Sequence, residues 1–359
     1  MRVAVIGGGV MGCASALALA KRGAEVVLVE RAIPGAEASS AAAGILGAQV
    51  EMHEKGSMLT TFLRARSDYA TWAEELRDET GLDIGYRVSG ALHAARSDHE
   101  QAEVARAVEW QCREGLRAEL LDATGVHRLE PDLAADVVSG AYYPDESQVD
   151  PPALLRALVA AIGLRSAREA AGGRITLCAR ATVQRLLVEG ERCVGVALEA
   201  ASAVRADATV LAAGSWSSLV PGIPAELPAV RPARGQIVQL VERPPRLRTI
   251  VLGSDAYAVP RGDGRVLCGS TVEFVGFRKE VTAGGVSAIL NGTLAMLPSL
   301  AGAPLVSTWS SFRPHTEGER ALIGACALPG LFLATGHFRN GILLAKVTAD
   351  TVADAIFAS

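Results

Sequence analysis

Paired cysteines are missing from this sequence. The six present, Cys13, Cys112, Cys178, Cys193, Cys268 and Cys326, are scattered. That spacing argues against a disulfide framework or a zinc motif and leaves small buried hydrophobes in a reducing compartment. The six histidines show no ligand spacing either, so no metal is expected. No apolar run approaches the ~18 residues of a membrane span; Lys21, Arg22 and Gly23 end the first apolar stretch early. A net charge of −4 comes with no basic patch for nucleic acid and no acidic tail. The first motif begins at residue 2, which is read as leaving no room for a signal peptide, and a cytoplasmic setting is expected. Repeats and low-complexity tracts are absent.

What is there begins at once. Arg2 to Ile6 (RVAVI) reads as a strand, Gly7-Gly8-Gly9-Val10-Met11-Gly12 as a tight turn entering an apolar helix, and Glu25 to Val29 as a second strand closing on Glu30. This is the dinucleotide-binding fingerprint. Gly7 permits the sharp turn, Gly9 lets backbone approach a pyrophosphate, and Gly12 lets helix and strand pack closely. The helix N-terminus faces the phosphates, and Glu30 stands where an acceptor holds ribose hydroxyls.

At 359 residues two domains are expected. A loop of small residues, Glu37 to Ile45, suggests close approach to something flat or bulky. Thr60 to Thr80 reads as an amphipathic helix with Leu63, Tyr69, Trp72 and Leu76 on its apolar side. Arg87 to Ala95 reads as a strand and Asp98 to Glu114 as a helix. Asp150 is read as capping a helix that opens with Pro151 and Pro152. Ile175 to Ala206 reads as alternating strands, followed by a buried strand from Ala208 that ends in a glycine turn at Gly214. Short strands fill Val230 to Thr271, with a hairpin signal at Arg261-Gly-Asp-Gly264, and Gly284 to Leu297 is helical. The fold class is therefore α/β in an α+β two-domain arrangement. A Rossmann-type nucleotide domain is assembled from discontinuous segments (1–85, 147–220 and 309–359). An antiparallel-sheet substrate domain fills 86–146 and 221–308. Nicotinamide dehydrogenases normally keep the fingerprint domain continuous, so the pattern points to FAD.

Four segments carry a likeness over essentially the whole chain: VIGGGVMG at Val5–Gly12, SSAAAGILGA at Ser39–Ala48, YAVPRGDGRVLCGST at Tyr257–Thr271 and GHFRNGILLA at Gly336–Ala345. With these the chain resembles the D-amino-acid oxidase superfamily of FAD-dependent amine oxidases, and within it the bacterial glycine oxidases of thiamine biosynthesis. The resemblance implies that FAD phosphates and ribose contact Gly7, Gly9, Val10, Met11, Gly12, Glu30 and Arg31. It places Ala38, Ser39, Ala43, Gly44 and Ile45 along the pyrophosphate and isoalloxazine. Val183 falls at the adenine, Gly214 at the cofactor-facing edge of the sheet, and His337, Phe338, Arg339, Asn340, Gly341, Ile342 and Leu343 at the flavin's pyrimidine edge. Related monomeric sarcosine oxidases attach flavin through a cysteine, and none stands beside Arg313, so the FAD is expected to be non-covalent.

Two further readings come from the residues themselves. Gly336 to Gly341 is read as opening the last helix, whose dipole would stabilise negative charge on a reduced flavin. Arg313 lies in apolar strand-like sequence and needs a partner, either an internal Asp or Glu or a substrate carboxylate that pairs with it fork on fork. By the family position Tyr257 adds a hydroxyl donor to that carboxylate, and Arg339 lies near substrate and flavin. Phe274 and Phe312 are candidates for reshaping the pocket toward an N-substituted amino acid. The implied reaction is hydride transfer from the neutral amino acid to flavin, with no dedicated acid–base residue and with dioxygen as acceptor giving hydrogen peroxide. A dehydrogenase of the same fold and a non-catalytic flavin-binding subunit remain open alternatives. The expected partners are a small amino acid and dioxygen, and the family's habit is a homodimer or homotetramer.

Overall fold

The computed structural model describes residues 1–52, 54–167, 173–199 and 203–359. Its first layer is a six-stranded sheet in the order Leu322–Ala325, Leu331–Thr335, Ala208–Leu211, Arg2–Ile6, Glu25–Glu30 and Ile175–Ala179. All neighbours are parallel except the first pair. Strands buried on both faces need continuous apolar sequence, which Arg2–Ile6 and Ala208–Leu211 supply. The helix Val10–Lys21 packs between Ala345–Phe357 and Pro151–Ser166, and the long helix Leu59–Thr80 closes that core with Tyr69, Trp72 and Leu76. The expected Leu63 is only half-buried.

The second layer is an eight-stranded sheet: Leu305–His315, Arg231–Val241, Arg265–Gly269, Tyr257–Pro260, Ile250–Leu252, Ala91–Ala95, Ser139–Tyr143 and Glu119–Asp122. It is antiparallel apart from one parallel pair, Ile250–Leu252 with Ala91–Ala95. The helix Ala283–Met296 covers one face over Val238, Leu240 and Cys268. The other face looks toward the first sheet. The expected boundary at 309 falls inside Leu305–His315, which pairs in this second sheet on both sides of that position.

Two local expectations change. Arg87 to Ala95 is not one strand: Gly90 takes a φ of +65°, which splits it into Arg87–Val88 in a small separate sheet and Ala91–Ala95 here. Asp150 stands at the helix N-terminus but makes no side-chain cap, because its Oδ2 accepts from Arg265 Nη2 at 2.8 Å. The strands Ile175–Ala179, Val183–Glu189, Arg192–Leu198 and Val204–Arg205 form as read, with residues 200–202 outside the described residues. Among the described residues no helix is long and apolar enough to cross a membrane.

Candidate active site

A cavity of about 830 Å³ runs from the glycine turn, between the two sheets, to the face of the second. At the turn the glycines are required by contact. Gly7 has a φ of +102°, and a Cβ there would lie 2.5 Å from the Ala212 carbonyl oxygen; at Gly12 it would lie 1.8 Å from that of Gly7. Gly9 is the N-cap of Val10–Lys21 and brings no side chain to its first-turn N–H groups. Ser39 Oγ accepts from Val10 N at 2.9 Å, tying the small-residue loop to the helix end. That loop contains one helical turn, Ala38–Ala41. Glu30 holds the turn, accepting from Gly8 N at 2.7 Å and Ala32 N at 2.8 Å. Beneath it Cys13 donates to the Gly8 carbonyl at 3.3 Å, and burial pushes its thiol up to about 12. Arg31 lies with its guanidinium 3.9 Å from the centroid of Trp216.

Most of the expected cofactor residues line this cavity: Gly7, Gly9, Val10, Met11, Glu30, Arg31, Ala38, Ser39, Ala43, Gly44, Ile45, Val183 and Gly214. From the last motif His337, Phe338, Arg339, Gly341 and Ile342 join them. Gly12, Asn340 and Leu343 do not. Gly12 packs against Gly7, Asn340 accepts through its carbonyl from Leu344 N at 2.9 Å, and Leu343 is buried in the core. The last motif also differs in shape from its reading. Gly336 and Phe338 take positive φ, so a 3₁₀ turn forms over Phe338–Asn340 and the α-helix begins only at Ala345. Tyr69 O–H donates to the Ile342 carbonyl and fixes the turn from below. His337 is 3% exposed; its Nε2 meets Thr348 Oγ1 at 2.9 Å, and burial lowers its pKa to about 3, so the ring is neutral.

On the second sheet Arg313 and Tyr257 reach the cavity through gaps that glycine leaves. A Cβ at Gly235 would lie 2.1 Å from Arg313 Nη1, and one at Gly269 would lie 2.5 Å from the Tyr257 hydroxyl. Both side chains therefore lie flat on the sheet face. Arg313 Nη1 donates to the Thr271 carbonyl at 3.0 Å and Nη2 to Ser270 Oγ at 2.6 Å, both neutral acceptors. Burial pulls the guanidinium below its ordinary pKa and raises that of the Tyr257 phenol. Arg339 is exposed at the rim, its guanidinium 5.2 Å from the Phe338 ring centroid. Phe312 lines the cavity; Phe274 does not, being 62% exposed and packed edge-on to His315. Its neighbour Val272 faces the cavity instead.

Sequence reasoning passed over Gly235, Gly269, Ser270, Ser311 and Trp216. A glycine inside an apolar strand was the available signal for the first two. It also missed Arg261, buried at the hairpin, which donates from Nη2 to the Ala43 carbonyl at 2.5 Å and from Nη1 to Gln148, bracing the cofactor loop; burial lowers its pKa to about 10.

The residues present fit a dinucleotide. The glycine cradle leaves a helix end open, an acid closes the second strand, and His337 Nδ1 is buried at the far end without a partner among the described residues. Fold and cavity together define a class, the two-domain oxidoreductases whose dinucleotide crevice opens onto a separate sheet. The chain belongs to one family within it, the DAO family described as FAD dependent oxidoreductase, which matches residues 2–355. A bifunctional ThiO/ThiG protein of Nostoc sp. is 37% identical over 99% of this chain, which spans about half of that relative, 52% of its length. Glycine oxidase of Geobacillus kaustophilus is 33% identical over 99% of this chain and 92% of its own. The crystal structure of glycine oxidase from Bacillus cereus superposes with a TM-score of 0.92 at 30% identity, covering 99% of this chain and 95% of that one. An iminodiacetate oxidase from Chelativorans sp. gives 0.86 at 26%, covering 100% and 96%.

Proposed function

We propose that this chain oxidises glycine or a related small or N-substituted amino acid, holding FAD non-covalently. The observation that carries the reading is Arg313, flat over Gly235 in the cavity with only neutral oxygens as its hydrogen-bond acceptors among the described residues. The charge of Glu51, which also lines the cavity, acts on this guanidinium, but its hydrogen bonds go to neutral oxygens, and a substrate carboxylate offers it the bidentate partner that they do not. The relatives named glycine oxidase agree in sequence over the whole chain, which supports the same substrate class.

FAD bound there would supply the two-electron chemistry, with the substrate Cα–H as hydride donor and dioxygen as final acceptor, giving hydrogen peroxide. The chain's part is binding and orientation. The glycine turn, Glu30, Arg31, the loop at Ala38 to Ile45, Val183, Gly214 and, from the last motif, His337, Phe338, Arg339, Gly341 and Ile342 hold the cofactor. Arg313 takes the substrate carboxylate, Tyr257 donates its hydroxyl to the same group, and Arg339 adds positive charge at the rim. His337 stays neutral above about pH 3 and therefore serves as a hydrogen-bonding wall rather than as a base in the neutral range. Orientation alone supplies a large part of the rate in such a site. The amino acid reacts with its amine as the free base and its Cα–H as hydride donor, and the resulting imine takes up water to give a 2-oxo acid and ammonia or, from an N-substituted substrate, a primary amine.

The test is an anaerobic screen of flavin bleaching with glycine, sarcosine, D-amino acids and N-carboxymethyl amino acids, followed by peroxide measurement in air. Bleaching by a small amino acid with one peroxide per turnover is expected. Bleaching without peroxide would assign the electrons to another acceptor, and a flavin that no amine bleaches would overturn the reading.

A further inference from the structure

Two orphaned buried polar atoms of the described residues belong to side chains that line the cavity, His337 Nδ1 and Ser311 Oγ. Ser311 is 6% exposed, and nothing so far assigns it a role. A buried hydroxyl without a partner is destabilising, and native proteins keep few of them, so its counterpart is expected in what fills the cavity.

Its position identifies that counterpart. Ser311 and Arg313 are two apart on Leu305–His315, so they project to the same face of the sheet, and both line the cavity. Across the ladder Ser311 pairs with Gly235. Directly opposed residues of an antiparallel pair carry their Cβ atoms ~4.5–5.5 Å apart on one face. At Gly235 that place is filled by the Arg313 head: Nη1, Cζ and Nη2 lie 2.1, 2.5 and 2.7 Å from where the Cβ would be. The guanidinium thus sits in the cross-strand seat beside Ser311, brought there because residue 235 has no side chain. A carboxylate clamped on Arg313 has its α-amine two bonds away, and Ser311 Oγ is the unsatisfied group beside it.

We propose that Ser311 is a substrate-binding residue whose hydroxyl accepts an N–H of the substrate amine while Arg313 holds the carboxylate. One N–H is then fixed, and the nitrogen lone pair is left free to form the C=N bond as the Cα–H bond breaks. The assignment rests on the amino-acid reading of the preceding section.

The experiment compares Ser311→Ala and Ser311→Thr holoenzymes with the wild type, using two probes of similar size. Glycine carries the amine, and its affinity and reduction rate come from anaerobic bleaching. Acetate lacks the amine, and its affinity comes from the perturbation of the flavin spectrum without turnover. Loss of one neutral hydrogen bond predicts that Ser311→Ala weakens glycine binding about tenfold and leaves acetate within about twofold. Ser311→Thr keeps the hydroxyl and should restore glycine binding, which separates a lost bond from a disturbed strand. Equal weakening of both probes would overturn the assignment, because Ser311 would then shape only the carboxylate seat. So would a shifted flavin spectrum in the ligand-free Ser311→Ala protein, which would give the hydroxyl to the cofactor. Unchanged affinity for both probes would sink this assignment alone. A wild type that takes neither probe would sink the proposed function and this assignment with it.

Discussion

Arg234 and Arg313 stand on neighbouring strands, on opposite faces of one sheet, in opposite company. Arg234 lies outside the cavity lining, where Nη2 and Nε donate to Glu273 at 2.8 and 3.1 Å and Nη1 to the Glu280 carbonyl at 3.0 Å. Arg313 opposes Ala233 and turns into the cavity, onto a carbonyl and a hydroxyl. Burial alone does not tell a structural arginine from a binding one. The sign of the neighbouring acceptors does, because a carboxylate inside the protein completes the charge, whereas neutral oxygens position it and leave it to attract an anion.

The sharpest way to break that contrast is Arg313→Ala. Removing one member of a buried charge pair costs ~2–5 kcal/mol, which is about 30- to 5,000-fold at ~1.36 kcal/mol per decade. We expect the ratio of flavin-reduction rate constant to Kd for the amino-acid substrate to fall by that factor, measured by anaerobic flavin reduction, with FAD content and visible spectrum unchanged. A protein that loses its FAD instead would make Arg313 as structural as Arg234.

Gly235→Ala asks the same question without removing any charge. The new Cβ would meet Arg313 Nη1 at 2.1 Å, and the guanidinium has to move. Displacement by about 1 Å at a binding group costs up to ~10²-fold. KM is expected to rise about 10- to 100-fold with the fold intact by circular dichroism, and an unchanged KM would show that the arginine's position there is unimportant.

How far the site could be read in advance follows the same line between local and long-range structure. The glycine turn was legible because Gly7, Gly12 and Glu30 lie within one strand–helix–strand unit, where each residue's job is set by its neighbours in sequence. Arg313 was legible as a charge in apolar surroundings that needs a partner. Gly235 and Ser311 were not, because their meaning depends on a cross-strand register between distant segments that periodicity does not reveal. Phe274 was misplaced for a related reason. It and Val272 flank Glu273 equally in sequence, and only the folded chain shows that Val272 lines the cavity while Phe274 packs on His315 outside it. The break at Ser89–Gly90 and the 3₁₀ turn at Phe338–Asn340 both turn on positive φ values, which sequence allows but does not require.

The outer face gives the converse prediction. The hydrogen bonds from Arg234 hold the Glu273 carboxyl at about 2, well below its ordinary 4.5. A carboxylate whose pKa is lower folded than unfolded stabilises the protein fully above about pH 4.5, and that contribution fades as pH falls toward 2. Glu273→Gln should therefore lower stability at neutral pH by about 1–3 kcal/mol and flatten the acid limb in that window. Acetate affinity should stay within about twofold, since the pair lies on the other face. A larger loss of acetate binding would show that the two faces are coupled.

His337 supplies the smallest effect and the third environment, a buried group with neither a countercharge nor charge of its own. Its pKa of about 3 lies below the ordinary 6.5, so the folded state gives up stability as pH falls from 6.5 toward 3, when the unfolded chain takes up a proton that the buried ring refuses. Among the described residues its ring bonds through Nε2 to Thr348 Oγ1, and its Nδ1 has no partner. Thr348→Val keeps the shape and removes that bond, which should lower the unfolding free energy by ~1 kcal/mol, read from the shift of the denaturant midpoint. The pH profile of flavin reduction should show no inflection from this ring between pH 5 and 9. An inflection that moves in Thr348→Val would mean that His337 carries charge during the reaction, and positive charge at the cavity would then come from more than its arginines.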